Sequence, residues 1–409
     1  MKYNDRQKDI LDAIKSLDIT PTMFKNANDK YHNIAKFLSE NGLEAEFYPQ
    51  GSFACGTVVR PNIKDANASY DLDAVCQVKA LKETLSAKDL FEKLVEVFKS
   101  NAVYKERMKV YDKCITIQYA DVGEVGFSID IIPAVEETEE IKNEQRMKSE
   151  RPDLVDTAIA IPKHCKKNYV WFTNNPKGFK KWFEEKNTPF LQYIDEYRAS
   201  LFEANRALFA TVEEIPEGLN RTAMQRVIQI LKRNRDVFYQ TLEKADNKLK
   251  ADDIKPISAI INIIVAEICK DAPAYYSVFD LLEYVLEQLD IYSFYQGHTE
   301  AEFNKRYSKK KVIQKVNGLW NIKNPALGKD NLADSWNENH LIPKYFFIWV
   351  QAARKDIITS LTLTDDAEFR SCIDNAFGYE VVQKVLGNKY YEVKTPEVIR
   401  NVGARPWRA

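Results

Sequence analysis

Asp71 and Asp73 stand one residue apart in "SYDLDAVCQV", downstream of Gly51-Ser52 in "YPQGSFACGTVV". In an extended strand, residues two apart share a face, so both carboxylates project together while Leu72 and Ala74 turn to the core. Without a cation they repel, and one of them tends to keep its proton. A divalent metal removes that penalty, because hard carboxylate oxygens suit Mg²⁺. Asp130 lies in "FSIDIIP", where only Ser128 among its close neighbours is polar. A lone carboxylate buried there costs on the order of several kcal/mol unless it is paired or metal-bound. Three carboxylates on adjacent strands fit a two-metal phosphoryl-transfer centre: one ion activates a hydroxyl and the other neutralises a leaving pyrophosphate. Gly51 lets backbone N–H groups approach a phosphate, and Ser52 offers a hydroxyl where a short helix begins. The plainer alternative is that Asp71-x-Asp73 marks a strand end with one aspartate capping a turn.

The elements that must position these residues are readable in outline. Thr20 caps and Gly42 closes a helix in "TPTMFKNANDKYHNIAKFLSENG", with Pro21 in its first turn. Its apolar stripe reads as Phe24, Ala27, Tyr31, Ile34 and Leu38. Short strands are expected at "EAEFYP", "DLDAVCQV", "CITIQYA" and "GFSIDIIP", with an amphipathic helix at "KDLFEKLVEVFKS". The charged run "VEETEEIKNEQRMKSERPD" reads as a solvated loop. From about residue 190 onward the pattern is helical. "TAMQRVIQILKRNRDVFYQTLEKA" has one apolar face, and "SAIINIIVAEIC", apolar nearly all round, reads as a central buried helix. "YYEVKTPEVIRNVGARPWRA" has no periodic face and reads as an extended tail.

A chain of 409 residues, 45% hydrophobic, supports two lobes. A net charge of −1 provides no global attraction for a long polyanion such as duplex DNA. The six cysteines show no CxxC pairing and read as free thiols, and the lone pair His164-Cys165 lacks the second ligand pair of a zinc site. No stretch is long enough to span a membrane, and "MKYNDRQKDI" is too polar for a secretory signal; the expectation is a cytoplasmic protein.

"QGSFACGTVVRP", "YDLDAVCQV" and "FSIDIIPAV" resemble the three signatures of the polymerase-β-type nucleotidyltransferases, and within them the cGAS/DncV-like enzymes (CD-NTases) of bacterial CBASS anti-phage systems. "FTNNPKGFKKWFEE" is similar to that family's TxPxGxxxWF segment, "MQRVIQILKRNRDVF" to its LQRxIQLLKRxRD helix, and "NPALGKDNLADSWNEN" to its NPxxPxENLADxW stretch. The resemblance implies an α+β fold: a polymerase-β-like lobe with a small mixed sheet (1–190, including N-terminal helices), an oligoadenylate-synthetase-like helical bundle (191–388) and a flexible tail (389–409). It implies Asp71, Asp73 and Asp130 as the metal-binding triad for two Mg²⁺ ions, with Mn²⁺ as the alternative. Gly51, Ser52, Lys232 and Ser258 would hold the donor triphosphate. The plainer readings make Lys232 a solvated helix edge and Ser258 an N-cap. Asn168 would meet a base edge, and Tyr169 or Trp171 would stack on a base.

The implied activity is template-independent joining of nucleoside triphosphates, ATP foremost with GTP or a pyrimidine nucleotide as alternatives, into a cyclic di- or trinucleotide. The product would activate a separate effector, and the "GARPWRA" end would be conjugated by a ubiquitin-transfer-like enzyme. No DNA template and no membrane partner are expected. Two other readings stay open: a nucleotidyltransferase acting on an RNA 3′ end or a small molecule, and an inactive nucleotide-binding scaffold. Two departures from the pattern are visible. The 18 residues between Ser52 and Asp71 include an insert-like "NIKDANAS" beside Arg60 and Lys64, and Lys329 replaces a small or polar residue in "KDNLADSW".

Overall fold

The computed structural model describes residues 2–61, 69–122, 125–204, 221–307 and 311–391. Lys64, most of the insert-like loop and "GARPWRA" lie outside the described residues. The strands are β1 (Ala45–Pro49), β2 (Ser69–Val78), β3 (Met108–Val110), β4 (Ile115–Val122), β5 (Val125–Glu136), β6 (Ile159–Cys165), β7 (Asn168–Asn174), β8 (Gln314–Val316) and β9 (Leu319–Asn321). In the first part of the chain the helices are α1 (Lys2–Lys15), α2 (Pro21–Glu40), α3 (Gly51–Ala54), α4 (Ala87–Lys99), α5 (Ala102–Arg107) and α6 (Glu139–Lys148). The rest are α7 (Pro176–Ala204), α8 (Ala223–Ala245), α9 (Ala251–Ile254), α10 (Ser258–Cys269), α11 (Val278–Tyr292), α12 (Glu300–Arg306), α13 (Asp334–Glu338), α14 (Leu341–Ala353), α15 (Asp366–Phe377) and α16 (Tyr379–Leu386).

A seven-stranded mixed sheet runs β1-β2-β5-β4-β3, with β6 added to the far end of β5 and β7 to β6. Only β2 and β5 among these pairs are parallel. One face of the sheet packs on α2 and α4 through Leu72, Ala74, Ile129 and Ile131 against Met23, Ile34, Phe91 and Leu94. The α2 ends form as their residues dictate: the Thr20 hydroxyl accepts from the Met23 N–H, and Gly42 takes φ +77° past the last turn. Its buried stripe differs by one position, because Met23 is buried and Phe24 is 37% exposed.

The helical core is larger. It joins α8, α10, α11, α14 and α15 and also takes in Ile10 and Ile14 of α1 and Trp182, Phe183 and Phe190 of α7. Nine of the twelve α10 residues are buried, as its uniformly apolar sequence requires. At the far end of the chain, Lys389 and Tyr390 bond to Asp9 of α1.

The segment expected to be a solvated loop is instead helix α6 followed by a 3₁₀ turn over Pro152–Thr157. Apolar periodicity does not make this helix. The Thr138 side chain caps it, and buried Lys142 reaches Glu136 at 2.6 Å and Glu139 at 3.2 Å. The stretch 324–330 then packs on it: Lys329 N–H donates to Gln145 and its ammonium pairs with Glu144. A Cβ on Gly328 would lie 2.3 Å from the Gln145 carbonyl oxygen, so this contact needs glycine. Lys329, unusual against the resembled pattern, thus ties the stretch 324–330 to α6, the helix that follows β5.

Candidate active site

The parallel register of β2 and β5 sets Asp73 opposite Asp130 and Asp71 opposite Ser128. All three carboxylates therefore leave the sheet on the face away from α4, and their nearest oxygens lie within 4.8 Å of one another. Among the described residues this is the one cluster of three or more such side chains able to share an ion. The Thr116 hydroxyl, across on β4, donates to Asp130 at 2.6 Å and orients it.

Burial, reinforced by Asp71 and Asp130, pushes the Asp73 carboxyl up to about 7, with Lys232 pulling the other way. Burial and then Asp130 raise Asp71 as well, although part of its side chain still meets solvent. Like charges this close are relieved by protons or by cations. An all-oxygen acidic donor set at this spacing fits hard divalent ions, so the residues present suit the metal the chemistry calls for.

Gly51 opens α3 with φ +63°, a conformation costly for a residue with a Cβ. Any such Cβ would fall 2.5 Å from Asp73 Oδ2, so glycine is demanded twice over. The Gln50 N–H donates to the Asp73 carbonyl at 2.8 Å, which fixes the α3 entrance against the acidic strand. The Ser52 hydroxyl is half-buried beside it, with no hydrogen-bond partner among the described residues.

Lys232 is not a solvated edge: it is 5% exposed, and its ammonium donates to the Thr57 hydroxyl at 2.9 Å. Burial lowers its pKa to about 8. Ser258 is not an N-cap either. Ile257 holds that position, and the Ser258 hydroxyl accepts from Arg235 at 3.2 Å while Arg235 also donates to the Pro256 carbonyl.

One row of α8 side chains and one threonine beside the site went unread in the sequence. Gln225 donates to the Cys55 carbonyl at 2.9 Å and Gln229 to the Val58 carbonyl at 2.7 Å, two turns and one turn before Lys232. These three α8 side chains clamp the backbone that follows α3. The signal was polar residues at four- and three-residue spacing inside an otherwise buried helix. Thr116 could not be found without the β4–β5 register.

The β6–β7 hairpin divides the candidate base-reading residues. Ile159 and Ile161 pack with Ile132, Ala134 and Val75 on the triad's face. Phe172 pairs with Ile161 and Val170 with Lys163, so Asn168, Val170 and Phe172 share that face. Tyr169 and Trp171 take the opposite side, Tyr169 against Phe91 with ring centroids 5.2 Å apart and Trp171 beside Leu90. They are packing residues of α4 and not base platforms. The exposed aromatic on the triad's face is Phe172, with Lys113 4.7 Å and Lys163 5.6 Å from its ring centre. Asn168 opens β7 opposite Cys165, exposed, with no side-chain hydrogen bond among the described residues. No helix among the described residues is long and apolar enough to cross a membrane.

Residues 1–150 match the Second Messenger Oligonucleotide or Dinucleotide Synthetase domain. The c-di-GMP synthase of Roseivirga ehrenbergii is 24% identical over 342 residues, spanning 82% of this chain and 74% of that protein. The structure of the Bradyrhizobium diazoefficiens CD-NTase CdnG in complex with GTP has the same fold, with a TM-score of 0.63 at 18% identity over 92% of this chain and 96% of that one. The Vibrio cholerae cyclic AMP-GMP synthase DncV aligns with a TM-score of 0.50 at 14% identity, covering 83% and 70%. The matched domain carries Gly51, Ser52 and all three converging aspartates, and the fold of the CD-NTase CdnG is shared across nearly the whole length of the chain.

Proposed function

We propose that this enzyme joins nucleoside triphosphates, without a template, into a cyclic di- or trinucleotide that serves as a second messenger in anti-phage defence. The observation that carries the reading is the convergence of Asp71, Asp73 and Asp130 within 4.8 Å, facing the Gly51-Ser52 turn. Asp71, Asp73 and Asp130 hold the divalent ions, Mg²⁺ by their hard-oxygen chemistry. When bound, such ions supply charge neutralisation at the transferred phosphate and acidify the attacking hydroxyl.

The remaining work falls to the chain's own groups. Gly51 leaves room for a phosphate beside the acidic strand, and the Ser52 hydroxyl, without a partner among the described residues, is free to donate to it. Lys232, already desolvated, offers an ammonium whose charge is worth more against a triphosphate than in water. Arg235 holds Ser258 at the start of α10, where its hydroxyl is the second donor from the helical side. Asp130, oriented by Thr116, is placed to take the proton of the ribose hydroxyl that attacks the α-phosphate as pyrophosphate leaves. Asn168 and Phe172 border the same face and are the groups for reading and stacking a base.

Incubating the purified chain with each labelled nucleoside triphosphate and Mg²⁺ tests this. The expected outcome is a phosphatase-resistant product whose mass is that of a cyclic di- or trinucleotide. Linear products extended only on an added RNA would overturn the reading.

A further inference from the structure

A cavity of about 800 Å³ lies on the helical side of the molecule, lined by the last turn of α6, α7, the C-terminal half of α10, α11, α12 and the stretch 311–328. None of Gly51, Ser52, Asp71, Asp73, Asp130, Lys232 or Ser258 borders it. Its volume is in the range of small-molecule and cofactor sites.

The lining has two characters. Part of the lining is aromatic: Tyr284 and Tyr307 are half-buried, and Trp182, Tyr292 and Phe303 are buried. Around it, cationic side chains outnumber carboxylates seven to four. Three of the four acids are already neutralised: Glu185 by Arg151 at 2.7 Å, Glu267 by Lys186 at 3.0 Å, and Glu150 by Lys323 at 2.9 Å. Lys148, Lys270, Arg306 and Lys311 are left without an ion-pair partner among the described residues. Lys311 sits 4.5 Å above the Phe303 ring and Arg306 5.5 Å above that of Tyr307, so these cations are held at the aromatic surface. Gln288, with no hydrogen-bond partner among the described residues, projects a neutral donor and acceptor from α11 into the same space.

Flat aromatic walls, surplus cations and an unengaged amide call for a planar ring that carries several negative charges. We infer that this cavity is a second, non-catalytic nucleotide site, its base lying on Tyr284 and Tyr307 and its phosphates on Arg306, Lys311, Lys270 and Lys148. The site needs no divalent metal, because the surplus cations supply the charge. It stands independently of the chemistry at the triad. Ser258 and Glu267 lie roughly 14 Å apart along α10 at helical rise, so one rigid element touches both sites.

The test uses the full chain carrying Asp71→Asn and Asp73→Asn, in EDTA, so that the first site is silenced. The probes are N-methylanthraniloyl-GTP, cyclic di-GMP and inorganic triphosphate. The expected result is one saturable site per chain for at least one of the two nucleotide probes, weakened tenfold or more by Arg306→Glu with Lys311→Glu. In the otherwise native chain the same pair leaves Mg²⁺-dependent nucleotide turnover, at concentrations too low to fill the cavity, within twofold of its starting value. Tyr284→Ala, checked for an unchanged melting temperature, weakens whichever nucleotide probe binds but not inorganic triphosphate. Absence of binding by both nucleotides, indifference to the double charge reversal, or equal affinity for inorganic triphosphate overturns the inference. Failure here leaves the triad reading untouched, since that reading is judged by product formation with Mg²⁺.

Discussion

The two sides of the candidate active site handle charge in opposite ways. On the sheet, three acids of one sign crowd within 4.8 Å, and one hydroxyl, that of Thr116, donates to Asp130. On α8, Gln225, Gln229 and Lys232 each find an oxygen of the segment 55–58. The sheet side is electrostatically unfinished and the helix side is satisfied. The acids are therefore expected to cost stability until cations arrive, whereas the α8 row is expected to hold the molecule together as well as meet substrate.

The largest effect should come from breaking the unfinished side. Asp73→Asn or Asp71→Asn should lower nucleotide turnover on the order of 10³-fold. The same change should stabilise the metal-free chain. Asp73 is raised from 3.8 to about 7, so the folded state holds its proton more tightly than the unfolded one. Metal-free stability is therefore fullest below about pH 4 and declines as pH rises toward 7. Asp73→Asn removes that decline, a gain of about 1–2 kcal/mol at pH 8. Thermal melts from pH 4 to 8, with and without Mg²⁺, check it: the advantage of the variant should grow with pH and shrink with the ion. An advantage that ignores both would mean the acids are not frustrated.

Gly51→Ala comes next, because it intrudes on the acidic side from its neighbour. The added Cβ meets the Asp73 carboxylate and forces φ +63° on a residue that resists it. Turnover should fall about 10²-fold and stability by about 1–2 kcal/mol. Serial substitution to serine should be no better, since the obstacle is the Cβ itself.

The helix side should separate into substrate and scaffold roles. Lys232→Met removes the buried ammonium but keeps its volume, so KM for the triphosphate should rise about 10-fold or more with little change in melting temperature. Gln229→Ala should do the reverse. It strands the buried Val58 carbonyl, costing about 1–3 kcal/mol of stability while KM barely moves. Lys232 also predicts an alkaline limb. Its ammonium, lowered to about 8, loses its proton above that pH, and nucleotide affinity should fall there in the parent enzyme but not in Lys232→Met.

How much of this was legible in the sequence depends on whether position or partnership decides. The Asp71-x-Asp73 spacing and the apolar surroundings of Asp130 were enough to place the three acids on one face, since strand periodicity fixes direction. The Gly51 requirement was legible as backbone freedom, but the close approach of Asp73 was not, because it depends on a contact across 22 positions. Helix α6 was misread because its stability rests on a cap, ion pairs and the packing of Gly328 and Lys329, none of which leaves an apolar stripe. The burial of Lys232 was not legible, and a solvated edge stood as its plainer reading, because a single lysine carries no mark of burial until Thr57 and Cys55 are known to lie over it.

The smallest expected effect is the sharpest probe of facing. Strand alternation alone puts Trp171 and Phe172 on opposite sides of β7, but which side meets the triad is decided two strands away, where Ile161 packs on Ile132. If that chain of register holds in solution, Phe172→Ala should raise KM for the acceptor nucleotide about 5-fold, a loss of about 1 kcal/mol of stacking at an exposed edge, and leave the melting temperature alone. Trp171→Ala should lower stability through its lost packing on Leu90 and leave KM within experimental error. Measuring both constants on both variants matters more than either alone. A single change in KM could come from general loosening of the hairpin, whereas the crossed pattern can arise only if the two faces of β7 serve different ends. An inverted pattern, with Trp171 controlling KM, would place the base on the α4 side and move the substrate path away from the acids.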